Sequence, residues 1–192
     1  PMNSRKFTTV QKNGENLQSQ KLIDNKKLTN LMTILGLNYN TKSKIEDLNY
    51  GRIVIMADQD VDGKGQICGL IVNFIAHNWP ELIKQNFIYR LNTPIIRAFP
   101  KNKKDSVIEF YSLASFENYT KSLSNYQVKY YKGLGTHEER DYPRMFSKEQ
   151  FEKNLILYEE DDKTEETLEI YFGTNTLLRK KYLKTPPIDD PT

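Results

Sequence analysis

Arg52-Ile53-Val54-Ile55-Met56-Ala57-Asp58-Gln59-Asp60-Val61-Asp62-Gly63 is the stretch on which the fold turns. An apolar run of strand length stops abruptly at three carboxylates on alternate positions. In extended backbone alternate side chains share a face, so the spacing predicts that Asp58, Asp60 and Asp62 converge. Three anions that close repel one another unless a cation or protons intervene. An oxygen-only donor set favours a hard divalent ion, Mg2+ ahead of Zn2+ or Cu2+. The stretch therefore predicts a metal site at the carboxyl end of a buried strand, where open α/β sheets place their chemistry. Two other readings compete. An EF-hand loop needs a bidentate glutamate at its twelfth position, which here is Gly69, and a preceding helix, where this chain is β-branched. A solvated acidic turn without an ion is the usual meaning of such a run in isolation, and its place directly after an apolar strand argues against it.

Working outward, residues 1–20 are polar with little periodicity and read as loop or disorder. Leu22, Leu28, Leu31, Met32 and Leu35 recur at helical spacing, with Gly36 as a C-cap. Asn49-Tyr50-Gly51 is a turn before the central strand. Ile67 to Ala76 is apolar nearly all round and predicts a buried helix that stops before Trp79-Pro80. Residues 87–99, broken at Pro94, and 107–111 read as strands, Ser115 to Leu123 as a short helix, and Gln127 to Tyr131 as a strand stopped by Gly133-Leu134-Gly135. From Glu138 onward the pattern is helical and charged. Glu159-Glu160-Asp161-Asp162 reads as a solvated loop, and Asn175 to Leu183 as a basic helix before a proline-bearing tail.

With 192 residues the chain is one domain, or one with a small appendage. Apolar residues make up 38% and aromatic residues 11%, enough for a real core. A net charge of +3 announces no global basic field, so any nucleic-acid surface must be local. The single cysteine, Cys68, excludes an internal disulfide and sits in an apolar stretch, as a buried structural thiol does. No apolar run approaches the ~20 residues of a membrane span, and no signal peptide is visible. The Pro1 start suggests an excised or processed chain.

Residues 50–63 resemble the central Toprim segment of eukaryotic-type type IIA DNA topoisomerases, which reads close to RYGKIMIMTDQDxDGSHI. The resemblance continues through Gly69-Leu70-Ile71-Val72-Asn73-Phe74, Asn78-Trp79-Pro80, Thr93-Pro94-Ile95, Phe110-Tyr111-Ser112 and the octapeptide Lys129-Tyr130-Tyr131-Lys132-Gly133-Leu134-Gly135-Thr136. Arg179-Lys180-Lys181-Tyr182-Leu183 resembles the family's RKxWL segment. The resemblance spans roughly 28–183, and the octapeptide together with Asp-Gln-Asp-x-Asp-Gly is highly specific.

The resemblance implies an α/β Toprim (Rossmann-like) fold with a mostly parallel sheet flanked by helices and a helical C-terminal extension. It divides the chain into a flexible segment 1–20, a Toprim core 21–145 and a charged helical extension 146–192 leading toward a winged-helix domain. It implies Mg2+ at Asp58, Asp60 and Asp62, with Mn2+ or Ca2+ as substitutes, in an enzyme that reversibly breaks both DNA strands through a tyrosine–phosphate intermediate. Asp58 would contact the catalytic ion, Asp60 a second ion, and Asp62 would orient the set. Arg179 and Lys180 match residues that contact DNA phosphates. Lys132 stands before the glycines that let the backbone approach metal or DNA, and Arg5 and Lys6 loosely match a basic PLRGK segment. The implied partners are double-stranded DNA, the enzyme's own winged-helix and ATPase domains, and a second copy, with ATP used only by the full-length enzyme and no membrane. The implied location is intracellular: the nucleus for a cellular enzyme, host cytoplasm or nucleus for a viral one.

The departures are as informative. The family's EGDSA glutamate and its Pro-Arg-Tyr nucleophile have no match here, although twelve tyrosines are present. No catalytic residue is therefore expected within the chain, which alone should not cleave DNA. Lys64-Gly65-Gln66 replaces the family's Ser-His, leaving one extra residue before the helix if Ile67 matches the family's isoleucine. A stand-alone Toprim nuclease or primase-like enzyme, and a non-catalytic DNA-binding module, are the rival readings.

Overall fold

Asn25 starts the first helix of the computed structural model, α1 (Lys26–Leu35). Its side-chain oxygen accepts from the N–H groups of Lys27 and Leu28 at 3.2 and 3.3 Å, which closes two orphan donors of the first turn. Gly36 ends the helix with φ +81°, a left-handed conformation that glycine adopts without a Cβ penalty. The structure describes residues 24–39, 41–60, 62–102, 106–119, 124–173 and 175–184, together with the backbone of Thr9–Lys12 and Glu15–Gln18.

These last two stretches, β1 and β2, pair antiparallel, with Val10 opposite Leu17. The loop reading of residues 1–20 is corrected there. The signal was present: Asn13-Gly14, which separates the strands, is a dipeptide strongly favoured in two-residue hairpin connections.

The chain sorts into two compact units. The first takes the described residues before Val54, Gly69–Tyr89 and the described residues from Leu157 onward. Its core includes Leu28, Met32 and Leu35 from α1, Phe74 and Ile75 from α2 (Cys68–Asn78), and Leu82 and Ile83 from α3 (Pro80–Lys84). Trp79 is fully buried where α2 stops and Pro80 opens α3. Its indole N–H donates to Asn38 O at 2.9 Å, Tyr39 stacks on it and Phe74 meets it edge-on. Helix α7 (Thr164–Phe172) adds Ile170 to this core, and α8 (Thr176–Tyr182) follows, capped by Asn175.

The second unit takes Val54–Cys68 and Arg90–Ile156. It is organised on β5 (Ile96–Pro100), flanked by β6 (Ile108–Phe110) and β7 (Tyr126–Tyr130), both antiparallel to it. Ile96 and Ala98 face one side, where Phe110 and Phe116 of α4 (Leu113–Tyr119) cover them. Arg97 faces the other side, opposite Glu109 on β6 and Lys129 on β7. Short helices α5 (Tyr142–Met145) and α6 (Lys148–Lys153) follow.

A further sheet has the order β3 (Ile53–Ile55), β4 (Ile88–Leu91), β8 (Leu155–Leu157). The α/β class stands. Where pairing direction is defined, in β1–β2, β5–β6 and β5–β7, it is antiparallel, so the mostly parallel sheet is not met in those sheets. For β5 and β6 the cause is connection length: residues 101–107 are too few for the crossover that parallel neighbours require. Strand β8 departs from the continuous helical reading after Glu138. No helix among the described residues is long and apolar enough to cross a membrane.

Candidate functional site

Strand β3 ends at Ile55, and the chain then runs through Met56 and Ala57 to Asp58. Asp58 Oδ1 accepts the backbone N–H of Leu134 at 2.8 Å. Gly133 lies so close that a Cβ on it would stand 2.8 Å from the Asp58 carboxyl carbon and both oxygens. Its φ is extended, so the requirement is for the missing side chain and not for an unusual backbone. The two most specific motifs of the sequence therefore meet at one point. The turn that presents Leu134 is self-bonded: Thr136 Oγ1 donates to Gly133 O at 2.6 Å, and the Thr136 N–H reaches the same oxygen at 3.0 Å.

Asp60 is engaged locally, with Oδ1 accepting the Gly63 N–H at 2.7 Å. Gly63 is fixed by crowding, since a Cβ there would fall 2.0 Å from Asp58 O. Gln59 anchors the run by donating to Leu91 O at 3.0 Å. Asp58, Asp60 and Asp62 are all exposed.

The convergence expected of the three aspartates is not what the structure describes. Among the described residues no group of three or more His, Cys, Asp or Glu side chains is placed to hold a metal ion. The alternation argument needs extended backbone throughout. Here the strand ends at Ile55, residues 59–60 form a bend, and Asp62 begins a wide π-helical turn over Asp62–Ile67. That turn leads into α2 and matches the extra residue counted in the sequence, since an i→i+5 turn holds one residue more than an α-helical turn. The donors are all carboxylates, which suits a hard cation, but as placed they supply only part of a coordination shell.

Lys132 is exposed beside Gly133. Lys180 is also exposed, whereas Arg179 is engaged within the fold. Its Nε donates to Ile170 O at 3.1 Å and its Nη2 to Gly173 O at 2.7 Å, closing carbonyls at the end of α7. Arg5 and Lys6 lie outside the described residues.

Sequence reasoning missed a buried ionic group behind the Gly133–Leu134 turn. Arg97, 4% exposed, pairs through Nε with Glu109 Oε1 at 3.0 Å and through Nη1 with Asp141 Oδ1 at 2.6 Å. Its guanidinium also lies 5.3 Å from the Tyr131 ring centroid. Lys129 pairs with Glu138, which lifts its pKa. His137 stacks on Tyr131 with ring centroids 4.5 Å apart, and burial and then Arg97 hold its pKa below the ordinary 6.5. Burial raises the Tyr131 and Tyr111 phenols. A signal did exist: Arg97, Glu109 and Lys129 are each a lone charge between apolar neighbours within a strand, the pattern of a cross-strand charged row.

Known proteins support the same assignment. Residues 91–187 match the family described as the C-terminal associated domain of TOPRIM. DNA topoisomerase 2 of African swine fever virus (isolate Pig/Kenya/KEN-50/1950) is 39% identical over 176 residues, covering 88% of this chain and 14% of the viral protein. DNA topoisomerase 2 of Bombyx mori is 38% identical over 179 residues, covering 89% of this chain and 11% of its own length. The crystal structure of the Plasmodium falciparum topoisomerase II DNA-binding, cleavage and re-ligation domain superposes with TM-score 0.75 at 32% identity, over 85% of this chain and 23% of that one. The chain thus spans a small part of the length of these relatives. It belongs to the family of C-terminal associated domains of TOPRIM and is similar to the matching segment of type II DNA topoisomerases.

Proposed function

We propose that the chain contributes the Mg2+-binding part of a DNA breakage–reunion centre in a type IIA, ATP-hydrolysing topoisomerase that acts on double-stranded DNA inside the cell as a dimer. The observation that carries the proposal is the Asp58–Leu134 hydrogen bond, which joins the acidic run to the Lys129–Thr136 octapeptide. In this reading 21–145 is the Toprim core, with β3–β4–β8 its sheet, and 146–192 the helical extension.

Asp58 would hold the ion through Oδ2, since Leu134 takes Oδ1. Asp60 would contribute Oδ2 in the same way, because Gly63 takes its Oδ1. Asp62 would orient the set after a shift of the wide turn. A carboxylate from outside the chain would complete the shell, as the family resemblance implies. When bound, a hard cation would stabilise negative charge on the scissile phosphate and the leaving oxygen. The Leu134 N–H fixes the Asp58 carboxylate plane, and Gly133 leaves room for it. Exposed Lys132 and Lys180 would contact DNA phosphates, while Arg179 would act chiefly by holding the end of α7. The chain alone is expected to bind metal weakly and to leave DNA uncut.

The test is Asp58→Ala in the full-length enzyme. Loss of Mg2+-dependent cleavage is expected, with the protein still folded. Near-normal cleavage would overturn the proposal.

A further inference from the structure

Residues 131–141 form a strap that touches Asp58 at its middle and is tied down at both ends. Tyr131, at the start, lies against the Arg97 guanidinium and carries stacked His137 on its ring. Asp141, at the far end, binds Arg97 through Oδ1 and accepts the Glu138 N–H through Oδ2 at 2.9 Å. Glu138 pairs in turn with Lys129 on β7. Both ends of the strap thus rest on one guanidinium, rooted in the central strand of an antiparallel sheet and clamped from the other side by Glu109. Between the ends, Gly133 and Leu134 meet the Asp58 carboxylate.

We infer that Arg97 is a positioning residue for the metal-binding carboxylate. It holds the strap at the height and angle that let the Leu134 N–H orient Asp58. The inference rests on the reading of Asp58 as a metal ligand. A guanidinium suits the task because its spread charge lies between the two carboxylates, Nη1 2.6 Å from Asp141 and Nε 3.0 Å from Glu109 without a hydrogen bond there, and 5.3 Å from the Tyr131 ring centroid. A lysine at this site keeps the charge and loses the fork. Arg97→Met leaves Glu109 and Asp141 without this guanidinium and costs stability whether Arg97 is structural or positioning, so metal affinity and Leu134 exchange, not stability, separate the two roles.

The experiment compares Arg97→Met, Arg97→Lys and Asp141→Asn with the parent in the full-length protein. Three quantities are read: Mn2+ affinity, the Mg2+ dependence of DNA cleavage, and hydrogen exchange in the 132–137 segment. Partners that orient metal ligands typically govern affinity by about 10–100-fold, so Mn2+ binding should weaken on that order in Arg97→Met. The Mg2+ concentration for half-maximal cleavage should rise with it, while cleavage at saturating Mg2+ stays close to the parent's. The Leu134 amide should exchange faster while the β5 amides remain protected, and Arg97→Lys should recover part of the loss. If Arg97→Met does not fold, Asp141→Asn carries the same expectations, because its amide oxygen can still accept from Glu138 N–H. Unchanged Mn2+ affinity and unchanged Leu134 exchange in folded variants would overturn the inference, even with a lowered melting temperature. Normal cleavage by Asp58→Ala would instead overturn the functional reading, and Leu134 exchange would still decide whether Arg97 positions the strap.

Discussion

Asp58, Asp60 and Asp62 stand in water on an irregular run, with backbone N–H groups as the partners of the first two. Glu109 and Asp141, in the same unit, are almost wholly buried and share one guanidinium. The two sets of carboxylates face opposite demands. The buried pair had to leave water, which is tolerable because Arg97 lies between the two carboxylates and Arg144 Nη2 stands 3.7 Å from Glu109. The exposed run keeps its hydration, so folding neither neutralises it nor depends on it, and its charge remains available to a cation. Residues identical in formal charge thus divide into those that hold the fold and those that face a ligand. Burial and partner identity, more than residue type, separate them.

Arg97 is where the two sets of carboxylates differ most. Arg97→Ala leaves Glu109 and Asp141 buried without their cation, and losing one partner of a buried ion pair typically costs about 3–5 kcal/mol. Denaturant unfolding monitored by circular dichroism should show a loss of that size. Asp58→Ala, by contrast, should cost no more than about 1 kcal/mol, the net value of its hydrogen bond with Leu134. Equal losses in the two variants would erase the distinction drawn here.

Gly133→Ala tests where the two sets of residues communicate. The new methyl would meet the end of a mobile side chain, so Asp58 can swing aside. The expected cost is roughly 1 kcal/mol, the net value of the Asp58–Leu134 hydrogen bond. Asp58→Ala in the same chain should relieve it, with a coupling energy of about 0.5 kcal/mol or more in a double-mutant cycle. Additive effects would mean that Gly133 is crowded by something else.

His137 gives a smaller and pH-dependent effect. Tyr131, Asp141, Arg97, Lys129 and Glu109 surround it, and its pKa in the fold lies below 6.5. Between the folded value and 6.5 the unfolded chain binds more protons, so stability rises with pH in that window. The penalty therefore sets in as pH falls through 6.5, is complete below the folded value, and is absent above 6.5. Melting temperatures of His137→Gln should be flatter than the parent's between pH 7 and about 5. An unchanged slope would assign it to other groups.

Much of this arrangement was legible in the sequence where chemistry acts locally. Gly36 ends α1 because its left-handed backbone suits glycine. Pro80 separates α2 from α3 because proline lacks the N–H that continuation needs. The acidic run and the octapeptide stood out as motifs, but only the fold shows that they touch. Leu155-Ile156-Leu157 was hidden because three apolar residues inside a charged stretch fit either period, and partnership with β4 decided for strand. The Arg97 group escaped because its members are far apart in sequence. The aspartate geometry was misread for the opposite reason, since a local rule was carried past the end of its strand.

Asp62 offers the finest test. It begins the wide turn, is exposed, and carries the charge farthest along the acidic run. If the run is held for a ligand, Asp62→Ala removes one of three neighbouring anions and should shift stability by no more than about 0.5 kcal/mol, in the stabilising direction when metal is absent. Added Mg2+ should then stabilise the parent more than the variant, because binding to the folded state adds to stability in proportion to affinity. Melting curves with Mg2+ and with chelator read both effects from the same samples. A variant that loses stability in chelator would show that Asp62 supports the turn itself, and would move it to the side of Glu109 and Asp141.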